Sequence, residues 1–198
     1  PPVLPVPRAG GLPLSFAQQR LWFIDQLEPG SAAYNVPVAL RLAGTLDAAA
    51  LAWALTHVAR RHEVLRTTFG VGADGEAVQV IHAPAPVPLP VVDLSGIGPA
   101  EREALAARLV REEAARPFDL ARGPVLRCTL LRLDAAESVA LFTLHHIASD
   151  GWSMALLQRE VAALYGAYVR GEDTHLPALP VQYADYAVWQ RRWLEGEA

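Results

Sequence analysis

Hydrophobic residues recur along this chain with two different spacings, which predict two kinds of secondary structure. Spacings of three and four residues predict amphipathic helices, which fall at 15–27, 48–66, 99–115, 151–170 and 181–198. Spacings of two residues predict strands, which fall at 36–44, 67–71, 76–83, 124–133 and 138–146. Helices and strands are interspersed, so the predicted fold class is α/β, with a mixed sheet packed against helices.

A few polar residues and prolines refine these elements. Ser15 and Gln18 form a capping-box signature at the start of the first helix. Asp47 precedes the second helix, where a carboxylate can cap free backbone N–H groups. Pro37 cannot donate a backbone hydrogen bond, so it is predicted to lie in an edge strand or in the first residues of its strand.

The composition narrows the class of protein. Of the 198 residues, 52% are hydrophobic and 19% are charged, so the chain is expected to fold. The net charge of −4, without a block of like charges, argues against a nucleic-acid partner. No apolar run could span a membrane and no signal peptide is visible, which favours the cytoplasm. Cys128, the single cysteine, lies in a predicted strand and is expected to be a buried, unreactive thiol.

The stretch "LHHIASDGWS" (144–153) contains two adjacent histidines, an aspartate and a serine, which are side chains that can take part in catalysis. Alternation along the strand places His146 on one side with Leu144, and His145 on the other. The two imidazoles therefore cannot easily reach the same atom, which predicts one reacting and one structural histidine. Asp150 is placed to cap the following helix, and Gly151 permits a close backbone approach at its N-terminus. Of the other histidines, His62 falls on the apolar stripe of the second helix, and His57, His82 and His175 are expected to be ordinary surface or loop residues.

Three interpretations of this stretch remain open from the residues alone. The first is a buried histidine pair beside a helix cap. The second is a metal site on His146 and Asp150, although a convincing third ligand is missing nearby. The third is general-base catalysis by one histidine. Arg61, beside the apolar stripe of the second helix, needs a carboxylate such as Asp150 if it is buried, or else it reaches solvent.

Four segments, in order, are similar to the motifs of one enzyme family. They are "SFAQQRLWF" (15–23), "RHEVLRTTF" (61–69), "HHIASDGWS" (145–153) and "YADYAVW" (183–189). On these motifs the chain resembles the condensation domain of nonribosomal peptide synthetases, in the chloramphenicol-acetyltransferase-like superfamily. The resemblance implies a two-lobed, V-shaped domain with a tunnel between the lobes. It implies that 14–198 is the N-terminal lobe, that the C-terminal lobe is absent, and that 1–13 is a linker from an upstream carrier domain.

The resemblance also implies an activity and roles for individual residues. An amine on a downstream carrier attacks the thioester of a donor on an upstream carrier, and both substrates arrive on phosphopantetheine arms. No cofactor is bound by the domain itself and no metal is expected. His146 would be the active-site residue and His145 a structural one, while Asp150 would pair with Arg61. Gly151 would lie at the site, and Trp152, Ser153 and Arg66 would have a substrate-contacting or secondary role, with Arg66 favoured as structural.

Finer expectations concern the subtype and the partners. "DGWS" favours condensation over epimerisation, and the first motif is most similar to domains that accept an L-configured donor. The partners implied are two carrier domains, the second lobe and an adenylation domain on the same chain. The 198-residue piece alone is expected to be inactive, and an exposed face near Trp189 and Trp193 would allow it to dimerise. The alternatives are a non-catalytic carrier-docking module and a His-x4-Asp acyltransferase of another family.

Overall fold

A computed structural model describes residues 1–173, 176–194 and 196. The helices are α1 (Phe16–Leu27), α2 (Ala48–Arg61), α3 (Pro99–Ala115), α4 (Gly151–Arg170) and α5 (Tyr183–Leu194). The strands are β1 (Leu12–Pro13), β2 (Asn35–Ala43), β3 (Thr67–Val71), β4 (Ala77–Ile81), β5 (Val91–Asp93), β6 (Leu126–Asp134) and β7 (Glu137–His145). His175 and part of the last predicted helix (195, 197 and 198) lie outside the described residues.

The main sheet is mixed, as predicted. Its strand order is β2-β7-β6-β5; β7 is antiparallel to both neighbours, whereas β5 runs parallel to β6. Pro37 lies in β2, an outer strand of this order, so the predicted edge position is confirmed. The predicted hairpin of β3 and β4 is also present, in a second sheet of order β1-β4-β3.

Helices cover both faces of the main sheet, and strand alternation sorts the side chains between them. On one face, Phe142 and Leu144 of β7 pack with α2 and α4. On the other face, Val139 and Leu141 pack with α3. β7 is buried on both sides along most of its length, so its C-terminal end is held firmly by the core. His145 is the last residue of this strand, and His146 follows it directly.

The second helix ends five residues earlier than its hydrophobic stripe predicts. It stops at Arg61, His62 takes an extended conformation, and a 3₁₀ turn follows at Glu63–Arg66. The side chain of Gln182 explains this, since it accepts from the Glu63 N–H at 3.1 Å and donates to the Arg61 carbonyl at 2.9 Å. A contact from a distant part of the chain thus satisfies the backbone groups that a longer helix would have paired.

In the part of the chain that the structure describes, no helix is long and apolar enough to cross a membrane. Cys128 is buried in the core between β6 and α2, and burial raises the pKa of its thiol to about 12. The predicted burial of this thiol is therefore confirmed, and the raised pKa disfavours the reactive thiolate.

Candidate active site

The C-terminal end of β7 separates the two histidines in space. His145 is the last residue of the strand, is only 3% exposed, and donates its backbone N–H to the Val125 carbonyl at 3.0 Å. His146 begins the following turn and is exposed; its backbone N–H donates to the Tyr34 carbonyl at 2.8 Å. The prediction that the two rings point to different environments is confirmed.

Burial keeps the ring of His145 neutral. Its neighbours are aromatic: the centroid of Phe118 lies 5.9 Å away, edge-on, and that of Tyr34 lies 6.4 Å away. Burial, with the charge of His146 as a smaller cause, lowers the pKa of His145 to about 4. Its Nδ1 accepts the Ile147 N–H at 3.1 Å, so the ring proton is on Nε2.

His146 is held in the opposite tautomer. Its Nδ1 lies 2.6 Å from the Ser149 carbonyl oxygen. Because a carbonyl can only accept, Nδ1 carries the proton and donates it, which leaves Nε2 as the basic nitrogen of the neutral ring. Ile147 and Ala148, both buried in a cluster with residues of α1 and β3, anchor the turn that carries this ring.

Asp150 caps α4, as predicted. Its Oδ1 accepts the Ser153 N–H at 2.8 Å and also the Ser153 hydroxyl, while the Asp150 N–H donates back to Ser153 Oγ at 3.1 Å. These hydrogen bonds from Ser153 are the main reason that the pKa of Asp150 is lowered. Asp150 and Ser153 therefore form a reciprocal capping box that fixes the start of the helix beside His146.

The predicted ion pair between Arg61 and Asp150 is wrong. Arg61 Nε instead lies 3.1 Å from Glu160 Oε1, and His62 Nε2 lies 2.6 Å from Glu160 Oε2. The reason is the packing of α2 on α4: the end of α2 meets the third turn of α4, where Glu160 lies, while the carboxylate of Asp150 is occupied at the first turn. Glu160 is 7% exposed, so the two basic residues stabilise a buried carboxylate.

The remaining predicted site residues differ in their surroundings. Gly151 is the first residue of α4, and a Cβ added there would meet none of the described residues within 4 Å apart from its chain neighbours and the backbone of its own helix. Trp152 is 82% exposed. Arg66 lies apart from His146: it donates to the His82 carbonyl and lines a different cavity. In the described ranges, no group of three or more His, Cys, Asp or Glu side chains is arranged to hold a metal ion.

A cavity of about 430 Å³ brings His146 together with Asp150 and Ser153. Its wall also contains residues that the sequence reasoning does not assign to the site: Arg20, Tyr34, His62, Gln182 and Tyr183. The sequence pattern places His62 in a hydrophobic stripe; the polar "RHE" around it is the signal that could have placed it here. A second cavity of similar volume between β2 and α4 is mostly apolar, and none of the predicted site residues is among its described lining residues.

A family model described as "Condensation domain" matches residues 8–198. The chain belongs to the condensation domain family. Among curated relatives of this condensation domain, a linear gramicidin synthase of Brevibacillus parabrevis is 58% identical over 195 residues, covering 98% of this chain and 4% of that protein. Phosphinothricin tripeptide synthetase PhsC of Streptomyces viridochromogenes is 49% identical over 186 residues, covering 94% of this chain and 17% of that protein.

Solved structures support the same family. The X-domain from teicoplanin biosynthesis superposes with a TM-score of 0.86 at 41% identity, covering 100% of this chain and 41% of that one. The starter condensation domain of rhizomide synthetase RzmA superposes with a TM-score of 0.84 at 27% identity, covering 94% and 44%. The chain thus spans less than half of these solved chains and a small part of the curated relatives. The predicted superfamily fold is confirmed, and the alternative of an acyltransferase of another family is left without support.

Proposed function

We propose that this condensation domain takes part in peptide-bond formation between substrates carried as thioesters, with His146 as the catalytic residue. The observation that carries the proposal is the placement of His146. It is exposed on the wall of a 430 Å³ cavity, and its Nδ1 is fixed by the Ser149 carbonyl so that Nε2 is free to act as a base.

The chemistry requires one proton acceptor and a fixed geometry. The acceptor amine attacks the thioester carbonyl carbon, a C–N bond forms, and the C–S bond breaks. Nε2 of His146 takes the proton that the amine loses and returns it to the departing sulfur, which leaves as a thiol. A positioned base typically contributes about 10² to 10⁴-fold in rate, and alignment of two tethered substrates contributes the rest.

The other parts of the machinery follow from family membership. We propose that 1–13 is a linker from an upstream carrier domain, and that 14–198 is the N-terminal lobe of a two-lobed domain. Donor and acceptor, with the donor L-configured, would arrive on phosphopantetheine arms of two carrier domains in the cytoplasm, alongside an adenylation domain. The curated relatives support this arrangement, since they are far longer synthetases. His145, Asp150 and Gly151 would then hold and shape the site.

The test is product formation by the complete synthetase with loaded carriers. His146→Ala and His146→Gln should lower the single-turnover rate about 10² to 10⁴-fold, with unchanged thermal unfolding, because the side chain is exposed. His82→Ala is the matched control, since His82 is also exposed but lies outside the His146 cavity. Rates within about threefold of wild type in both His146 variants would refute a catalytic role.

A second function is favoured by one comparison. The X-domain from teicoplanin biosynthesis, which this chain matches at 41% identity, has also been solved in complex with OxyB. A related role here would be docking of a partner protein without catalysis. The same assay separates the two functions, because a docking module would form no peptide bond even with His146 intact.

A further inference from the structure

The proline-rich segment 1–8 ("PPVLPVPR") lies against α5 and is fixed there at several points. The indole N–H of Trp189 donates to the Pro1 carbonyl at 2.7 Å. The Val6 N–H donates to Asp185 Oδ1 at 2.8 Å. This segment, part of the linker that the resemblance implies, is therefore held along the helix by both of these contacts.

Arg8 also holds the segment, because its guanidinium group binds the carboxylates of both Asp185 and Glu63; we call these three residues the clamp. Its Nη1 and Nη2 lie 2.6 and 3.0 Å from the two oxygens of Asp185, and its Nε lies 2.7 Å from Glu63 Oε2. The Asp185 side chain is 1% exposed, and a carboxylate buried to that extent needs a cation and hydrogen-bond donors. Segment 1–8 supplies three of these donors: the Val6 N–H and two nitrogens of Arg8.

The helix offers a surface suited to such a segment. Tyr183, Tyr186, Trp189 and Trp193 form a row of aromatic rings whose neighbouring centroids are 5.5 to 6.0 Å apart. Proline-rich strands bind to aromatic surfaces that also donate hydrogen bonds to their carbonyls, because they are stiff and lose little entropy. The contact from Trp189 to Pro1 is of this kind.

Arg8, Glu63 and Asp185 lie beside the His146 cavity, but they are not among its described lining residues. Gln182 accepts the Glu63 N–H and donates to the Arg61 carbonyl, and its own N–H donates to Asp185 Oδ2 at 2.7 Å. Gln182 lines the cavity. None of these three hydrogen bonds has Arg8 as a partner, so Arg8 can be replaced without removing a donor or acceptor of Gln182.

We propose that Glu63, Asp185 and the aromatic face of α5 form a docking site for segment 1–8, which makes this segment a fixed strap. The strap sets the point from which a carrier domain N-terminal to it reaches the His146 cavity. The docking itself is independent of the activity; only the statement about the carrier rests on the proposed function. A docked strap shortens the free tether and raises the effective concentration of the donor at the cavity.

Hydrogen exchange in the complete synthetase tests the docking. Only Val3, Leu4, Val6 and Arg8 of the segment carry exchangeable amides after the first residue, since the others are prolines. The Val6 amide should exchange slowly in the wild type and at least about tenfold faster in Arg8→Gln, because a charge-assisted clamp is lost. Asp185→Asn should also speed it. Arg108→Gln, which breaks an exposed pair with Glu112 on α3, is the matched control and should change nothing.

Product formation tests the consequence. With the donor on the tethered upstream carrier, Arg8→Gln should lower the rate, on the order of three- to tenfold. With the donor offered as a soluble thioester, the rate should not change. A Val6 amide that exchanges at the intrinsic rate in the wild type would overturn the docking. Release of Val6 without loss of the tethered rate would overturn the positional role. Absence of product from either donor in the wild type would instead refute the proposed function and leave the exchange result standing.

Discussion

His145 should make the stability of this domain depend on pH between pH 7 and pH 5, a range in which carboxylates contribute little. The folded state lowers the pKa of His145 from 6.5 to about 4. The ring therefore binds its proton more readily in the unfolded chain, and folding is weakened as the pH falls from about 6.5 toward 4. Each tenfold change in the proton equilibrium corresponds to about 1.4 kcal/mol, so the full effect is about 3 kcal/mol, of which about 2 kcal/mol is lost between pH 7 and pH 5.

The variant that isolates this effect is His145→Asn. The amide oxygen of asparagine can accept the Ile147 N–H as Nδ1 does, but it cannot be protonated. The variant should be less stable at pH 8 by about 1 to 2 kcal/mol, because the ring contacts with Phe118 and Tyr34 are lost. Between pH 7 and pH 5, however, its stability should fall by about 2 kcal/mol less than that of the wild type.

Urea unfolding at several pH values measures this difference through the free energy of unfolding. Ionisable groups that lie away from His145 contribute alike to both proteins and cancel in the comparison. Curves of stability against pH that run parallel for the two proteins from pH 7 to pH 5 would contradict this prediction. That result would mean that His145 is protonated with similar ease in the folded and unfolded states.

The caps, the buried ion pair and the thiol each give a further prediction. Asp150→Ala should destabilise the protein by about 1 kcal/mol through loss of the cap, while Asp150→Ser retains an acceptor and recovers most of it, as denaturant unfolding would show. Glu160→Ala should cost about 3 kcal/mol in thermal unfolding because Arg61 loses its buried partner, whereas removal of Glu172 from its exposed pair should change little. Cys128 should react with a thiol reagent at pH 8 only in denaturant; rapid labelling of the folded protein would contradict its burial.

Much of the fold can be predicted because its signals are local. A few residues predict the capping box of Ser15 and Gln18 and the cap at Asp47, and both are present. The sequence predicts the helix 99–115 with its observed bounds, since a proline begins it and a proline follows shortly after its end. Local backbone chemistry decides such features, so tertiary packing does not need to be known.

The errors in the site concern contacts between distant residues. The stripe that ends at Leu65 correctly identifies a buried face, but Gln182, more than a hundred residues later, ends the helix at Arg61. Similarly, the sequence leaves open which acidic residue pairs with Arg61. The position of α2 along α4 places Glu160 next to Arg61, so these two residues form the ion pair. Sequence spacing fixes which residues share a helix face, but it does not fix how one helix is displaced along another.

His145 and His146 have identical side chains, but the fold gives the two rings opposite surroundings. Strand alternation alone requires that His145 and His146 diverge, but it does not decide which of them is able to exchange protons. The backbone around them does. The Ile147 N–H binds Nδ1 of the first ring and burial keeps that ring neutral, while the Ser149 carbonyl binds Nδ1 of the second, exposed ring and leaves its Nε2 as the basic nitrogen. Exchanging these two backbone partners would exchange the tautomers, so the turn 146–149 and the cap at Asp150 determine the chemistry as directly as the imidazole does.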